Sequence, residues 1–183
     1  MNVDRIINIA GGVAVAAVLA GCANPAPTGG QAQGPLVQKK VAYVMADAGK
    51  KQVTAPGASG DASYRALEQS GLDALRAVYA DVVVVPSAKD ASALQAAYVF
   101  TPQIKADFSA PSPYLNPLTV FNTEVVYVVT DPAGTEITRV KANGAGKATF
   151  DEFRYDSGLP ARRASTDLSA KLSDEVRKND RLR

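Results

Sequence analysis

The chain has no histidine, no tryptophan and a single cysteine in 183 residues. Each absence removes chemistry. Without histidine there is no imidazole base, no Ser-His or Cys-His pair, and none of the commonest zinc ligand. One cysteine excludes an intrachain disulfide framework and any cysteine-cluster metal site. Charge of one sign is also lacking. Lys and Arg number 20 against 18 Asp and Glu, a net charge of +2, which argues against a dedicated nucleic-acid binder. No Ser is followed by Lys at the third position after it, so the Ser-x-x-Lys nucleophile motif is missing too. What remains is a chain that is 46% hydrophobic and 21% charged, ordinary for a globular protein and long enough for one domain.

The one cysteine has a telling position. A short head carrying Arg5 and Asp4 precedes an apolar stretch from Ile6 to Leu19. That stretch is too short and too rich in small residues to span a membrane, and it has a signal-peptide layout. It ends in Leu19-Ala-Gly-Cys22, which resembles the bacterial lipobox. Small Ala20 and Gly21 suit a tight peptidase site, and the Cys22 thiol is the nucleophile that takes diacylglycerol. Residues 1–21 are therefore expected to be a removed leader and Cys22 the lipidation site, with a covalent diacylglycerol and acyl chain and no other cofactor. Each buried CH₂ contributes roughly 0.8 kcal/mol, and two or three chains hold where one is marginal. Ala23, rather than Asp, follows the cysteine. By resemblance to Gram-negative sorting rules this favours the periplasmic face of the outer membrane. Losing residues 1–21 removes one Arg and one Asp, so the mature charge stays +2.

Residues 23–38 hold three Pro, three Gly and no charge, and with Cys22 they read as an acylated, flexible tether over 22–38. By coil scaling the sixteen residues reach roughly 20–25 Å. Residues 39–183 then read as one periplasmic domain.

Within that domain Lys39–Ala46 reads as a strand with Val41, Tyr43 and Met45 on one face. Asp61–Tyr79 reads as a helix, with Tyr64, Leu67, Gly71, Leu75 and Val78 at helical spacing. Asp61 or Ser63 would cap it, and Gly71 marks a close packing contact. The four valines between Asp81 and Pro86 read as a strand buried on both faces. Ala88–Ala97 reads as a short helix. Tyr98–Phe108 alternates with Tyr98, Phe100, Ile104, Ala106 and Phe108 on one side. Thr119–Thr130 reads as a long strand, with Phe121, Val125, Tyr127 and Val129 on one side and Val120, Val126 and Val128 on the other. Asp131-Pro-Ala-Gly134 is a turn signal. Glu136–Phe150 returns as the partner strand, broken by a bulge at Gly144 or Gly146. Pro160 opens a last helix whose apolar stripe is Ala161, Ala164, Leu168, Leu172 and Val176. The sum is an α+β fold: a βαβ-like start, an antiparallel meander and a C-terminal helix, with helices packed on one face of a mixed sheet.

Candidate chemistry is sparse. The loop Ala55-Pro-Gly-Ala-Ser-Gly-Asp61 lacks both the phosphate-loop and the dinucleotide spacing and reads as a plain loop. Asp151, Glu152 and Asp156 are the carboxylates a small hydrolase would need, yet neighbours on a strand would point apart. No metal site is expected, since no calcium-loop spacing is visible. Residues 109–118 hold three Pro with Tyr114, Leu115 and Leu118, a rigid loop with apolar tips suited to a partner contact. The last seven residues are net +3, and Arg177, Lys178, Arg181 and Arg183 are candidates for anion contact, beside the plainer role of complementing a helix C-terminus.

Several short runs together resemble the YajG-type small outer-membrane lipoproteins. They are Val41-Ala-Tyr43, Pro56-Gly57 with Gly60-Asp61 and Tyr64, Ala66-Leu67-Glu68, Val129-Thr-Asp131 with Gly134, Phe150-Asp-Glu-Phe153, and Ala161-Arg-Arg-Ala-Ser165. The resemblance spans most of residues 39–170 and implies a location and a fold, not a reaction. The resulting expectation is a lipid-anchored, non-enzymatic envelope protein that touches the membrane through its anchor. It would bind or position a protein, peptidoglycan or lipid partner and no nucleic acid. Two alternatives stand beside it: a subunit of an export or assembly machine, and a small carboxylate-dependent hydrolase.

Overall fold

The computed structural model describes residues 34–45, 52–54, 59–109 and 118–183. The elements, in chain order, are β1 (Val37–Val44), β2 (Gln52–Thr54), α1 (Ser59–Arg76), β3 (Tyr79–Val85), α2 (Ala88–Ser92), β4 (Tyr98–Ser109), β5 (Thr119–Thr130), β6 (Glu136–Ala148), α3 (Phe150–Tyr155) and α4 (Leu159–Lys178), closed by a 3₁₀ turn at Asp180–Leu182. The sheet order is β3-β1-β4-β5-β6. β1 runs parallel to both β3 and β4, while β4, β5 and β6 form an antiparallel meander. β2 extends the flank that β1 leaves, pairing in parallel with Lys105–Asp107 of β4. This is the α+β architecture read from the sequence, with a βαβ start, a meander and a C-terminal helix.

The core forms where the strand alternation meets α1 and α4. Val41 and Tyr43 of β1, Phe100 of β4, Phe121, Val125, Tyr127 and Val129 of β5, and Val140 and Ala142 of β6 all face the two long helices. Those helices answer with Leu67, Leu75, Ala164, Leu168, Leu172 and Val176. Burying one such large side chain contributes about 1.5–3 kcal/mol, so this face carries most of the stability. Ala42, Val44, Val85 and Val99 point the other way, where Ala91 of α2 and Ala96 cover them in a second, smaller cluster. Beyond Val99, no described helix covers that second face of β4, β5 and β6.

Several local readings are corrected. β1 starts at Val37, inside the stretch read as spacer, and ends at Val44, so Met45 is left 52% exposed outside the core. α1 ends at Arg76; Val78 lies in the following turn but is still buried. The valine run is not buried on both faces. β3 is the last described strand of the sheet, and Val82, Val83 and Val84 stay partly open because no described strand continues the sheet beyond them. The second helix stops at Ser92, and Gln95 takes a left-handed φ of 54° in the turn that follows.

Gly144 and Gly146 do not break β6. They lie under α4, where a Cβ on Gly146 would fall on the Pro160 carbonyl and one on Gly144 would come within 2.8 Å of Leu168 Cβ. The irregularity in the ladder falls instead between Val129 and Thr130, at the turn end, where Gly134 has φ +91°. The chain after Ala148 is not strand but the short helix α3. Thr149 caps it in a capping box with Glu152, each side chain meeting the other's backbone N–H.

Candidate functional site

The open half of the sheet is mixed: Val120, Val126 and Val128 stand half-buried on it, and its polar residues gather where Lys105–Asp107, Asn122–Glu124 and Asn143–Ala145 lie side by side. Every side chain of β4, β5 and β6 that does not enter the core must stand on this face. The register brings three short stretches side by side: Lys105 pairs with Glu124 and Glu124 with Asn143, while Asp107 pairs with Asn122 and Asn122 with Ala145. Together they floor an open depression of about 600 Å³. Ala145 keeps its middle shallow, and Lys171 closes the rim from α4. Lys171 is held there by Asp167 at 2.6 Å, and the same Asp167 carboxylate accepts the Ala145 backbone N–H at 3.0 Å.

The charges in the depression are arranged rather than scattered. Glu124 lies between Lys141 at 2.5 Å and Lys105 at 4.0 Å. The hydrogen bond from Lys141 lowers the Glu124 carboxyl below its ordinary value and keeps it ionised. Thr123 donates to the Lys105 carbonyl at 3.0 Å and ties β5 to β4 beneath the floor. Asn122, Asn143 and Asp107 have no protein partner among the described residues, so two amides and a carboxylate face solvent together. Such a set can donate to and accept from hydroxyls and amides of a polar ligand. It holds no nucleophile paired with a base.

The expected site residues are scattered. Cys22, Tyr114 and Leu115 lie outside the described residues, as does most of the loop 55–61. Leu118 is exposed just before β5, at the end of the sheet that also carries α3. Exposed Phe150 and Tyr155 stand there, while Phe153 tucks in against Phe108 at 5.8 Å between ring centres.

The four basic residues at the other end are engaged within the fold. Arg177 donates to the Ala77 carbonyl and, at 3.3 Å, to that of Pro35. Arg181 donates to the Ile137 carbonyl at 3.0 Å, and Lys178 pairs with Glu175 at 3.4 Å. Arg183 pairs with Asp180 at 3.5 Å and donates to the Arg177 carbonyl. Lys39, which lies over the Tyr98 ring, donates to the Arg183 carbonyl, and the Tyr79 hydroxyl donates to that of Leu182 at 3.0 Å. This segment pins the C-terminus to the entering chain.

Two of the three carboxylates considered for hydrolysis, Glu152 and Asp156, are committed to ion pairs, while Asp151 stands exposed in the first turn of α3. Glu152 receives both guanidinium nitrogens of Arg163, at 2.8 and 3.1 Å, and the Thr149 backbone N–H at 2.9 Å. These bonds hold its carboxyl down to about 2. Arg162 likewise holds Asp156 below the usual range. Neither retains a proton to give at neutral pH. They sit on and beside a helix, not on the strand the sequence suggested, so the reason they fail as a pair is ion pairing rather than strand alternation. Among the described residues no group of three metal-ligating side chains occurs.

The depression itself escaped sequence reasoning. Its residues are the polar half of ordinary alternating strands, and only the cross-strand register collects them.

No family model matches the chain, and no curated protein does. Solved structures share its fold. One from Helicobacter pylori, described as a neuraminyllactose-binding hemagglutinin homolog, has a TM-score of 0.53 at 12% identity over 82% of this chain and 90% of its own. The PelC dodecamer subunit of Paraburkholderia phytofirmans aligns at 0.49 with 20% identity, over 78% and 91%. A minor lipoprotein of Acinetobacter baumannii aligns at 0.42 with 15% identity, over 77% and 92%. The likeness to the Helicobacter pylori structure shows a shared fold and nothing further.

Proposed function

We propose that this protein is a non-enzymatic lipoprotein of the bacterial outer membrane, anchored through Cys22, that binds a hydroxyl- and amide-rich envelope component in the depression on its open sheet face. Cys22 carries the anchoring half of the reading: the single cysteine follows Leu19-Ala-Gly at the end of a leader-like stretch. The unpartnered Asp107, Asn122 and Asn143 over a volume of about 600 Å³ support the binding half. Anchoring supplies the mechanism. A domain held to one layer meets co-resident partners at high effective concentration, so modest polar contacts suffice.

Cys22→Ser is expected to move the protein from the membrane to the soluble fraction, and mass spectrometry of the mature chain is expected to find acyl chains on Cys22. An unmodified thiol would overturn the anchor. For the binding half, soluble peptidoglycan fragments titrated onto the mature protein are expected to shift the amide resonances of Asn122 and Asn143. Asn122→Ala with Asn143→Ala is expected to abolish the shifts. Unchanged spectra would overturn this choice of ligand surface.

A further inference from the structure

The two edges of the sheet are treated differently. β6 is a defended edge. Three of its outward backbone groups are capped from elsewhere in the fold: the Ala145 N–H by Asp167, the Lys147 carbonyl by Arg163, and the Ile137 carbonyl by Arg181. Between them the strand carries Arg139 and Lys141, the kind of charge that discourages edge pairing. β3 has none of this. Its outer edge is Asp81-Val-Val-Val-Val85, and no described residue pairs with it. Its one charge, Asp81, is turned to Lys40 of β1 at 3.6 Å. Val84 is 39% exposed, and Val82 and Val83 are half-buried.

The backbone direction of this edge is settled by one hydrogen bond. The Met45 N–H donates to the Val85 carbonyl at 2.9 Å, so Val85 turns its polar groups toward β1. Alternate residues turn opposite ways, so Val82 and Val84 direct N–H and C=O outward. Among the described residues this edge is bare, a template for pairing with another chain, and a second copy fits it. About a two-fold axis at Val83, the outward groups of Val82 meet those of Val84 from a second copy, and the reverse. Asp81 then stands opposite Val85, so no like charges oppose each other. Pro86 lacks an N–H and closes the ladder at its end.

We propose that the β3 edge is a homodimer interface, in which two copies join antiparallel through Val82–Val84 into one continuous sheet. Isologous pairing of this kind is the commonest form of self-association. The interface lies at the opposite edge of the sheet from β6 and away from the depression, so it stands or falls independently of the proposed ligand.

The test uses the mature lipoprotein in density-matched detergent. Sedimentation is expected to give the protein mass of two chains, and Val84→Lys is expected to return it to one chain with unchanged circular dichroism. In the otherwise natural chain, Val83→Cys is expected to form a disulfide dimer in intact cells. The axial pair is a non-hydrogen-bonded one, with Cα atoms about 4.5 Å apart, within disulfide reach. Lys141→Cys on the other edge is expected to stay monomeric under the same oxidation. A wild-type mass of one chain would overturn the proposal. So would a dimer that Val84→Lys leaves intact, or crosslinking through Lys141→Cys in place of Val83→Cys.

Discussion

Gly71 shows how much a single position can carry. It lies mid-helix, where Gly is about 1 kcal/mol worse than Ala. The reason is Tyr127, wholly buried beneath it on β5: a Cβ on Gly71 would land on the Tyr127 hydroxyl oxygen. That hydroxyl has no hydrogen-bond partner, and burial pushes its pKa well up. Gly71→Ala in the natural chain is therefore expected to destabilise by about 1–3 kcal/mol through overpacking. In a Tyr127→Phe background the oxygen is gone and the next atoms stand at 3.5 Å, ordinary contact. There the same substitution is expected to stabilise by up to about 1 kcal/mol. Urea denaturation of the four variants checks the reversal of sign; equal effects in both backgrounds would refute the contact. The sequence showed that Gly71 was out of place in a helix. It did not show the partner, which lies 56 residues away on another element.

The same kind of contact sets where α4 lies at the scale of elements. Gly144 and Gly146 let the helix backbone descend onto β6, with the Ala164 and Pro160 carbonyls occupying the space a side chain would fill. Gly146→Ala is expected to cost about 3 kcal/mol or more, visible as a large fall in Tm, because backbone rather than a flexible side chain must move. α4 also packs on α1, which buries Ser165, Ser169 and Ser173 beside the expected Ala and Leu stripe. A helix pressed on two sides needs a wider inward face than one apolar stripe predicts, and small hydroxyl residues supply it.

α3 makes a separate prediction. Removing its cap by Thr149→Ala is expected to cost about 1 kcal/mol. The Glu152 carboxyl, at 4.5 unfolded and held down to about 2 in the fold, adds stability that is complete above the unfolded value and lost as pH falls through the folded one. Glu124, Glu136 and Asp156 are lowered by their Lys and Arg partners and act in the same direction. Urea midpoints are thus expected to drop between about pH 5 and pH 2, with a shallower drop in Glu152→Gln.

For the molecule as a whole, the decisive feature is where the chain enters the domain. Pro35 and Lys39 lie beside the C-terminal residues Arg177 and Arg183, so the chain enters the domain at the end of α4. Along β4, the stretch from Tyr98, beside that entry, to Lys105–Asp107 covers roughly 23–30 Å at about 3.3 Å per residue. The depression is therefore remote from the point where the chain enters the domain. Deleting residues 24–32 would shorten a tether of roughly 20–25 Å reach without touching Cys22. Membrane retention is expected to persist, while photocrosslinking from position 122 to peptidoglycan is expected to fall. Undiminished crosslinking would show that reach is not what the tether provides.

Composition and short-range pattern alone determined the leader-like stretch, the single thiol at its end, the absence of imidazole chemistry, and the strand and helix periods. All of these depend on neighbours within a few residues. Tertiary structure decided everything that depends on distant neighbours. Sheet order placed the valine run at an edge instead of in the centre. Helix descent, not a bulge, explained the glycines of β6. Ion pairs between the start of α4 and the α3 segment hold Glu152 and Asp156 ionised. The strand register gathered Asp107, Asn122 and Asn143 into one depression. The physical reason is the same each time: burial, pairing and charge are properties of what packs against a residue, and the pattern along a chain specifies only which way each side chain points.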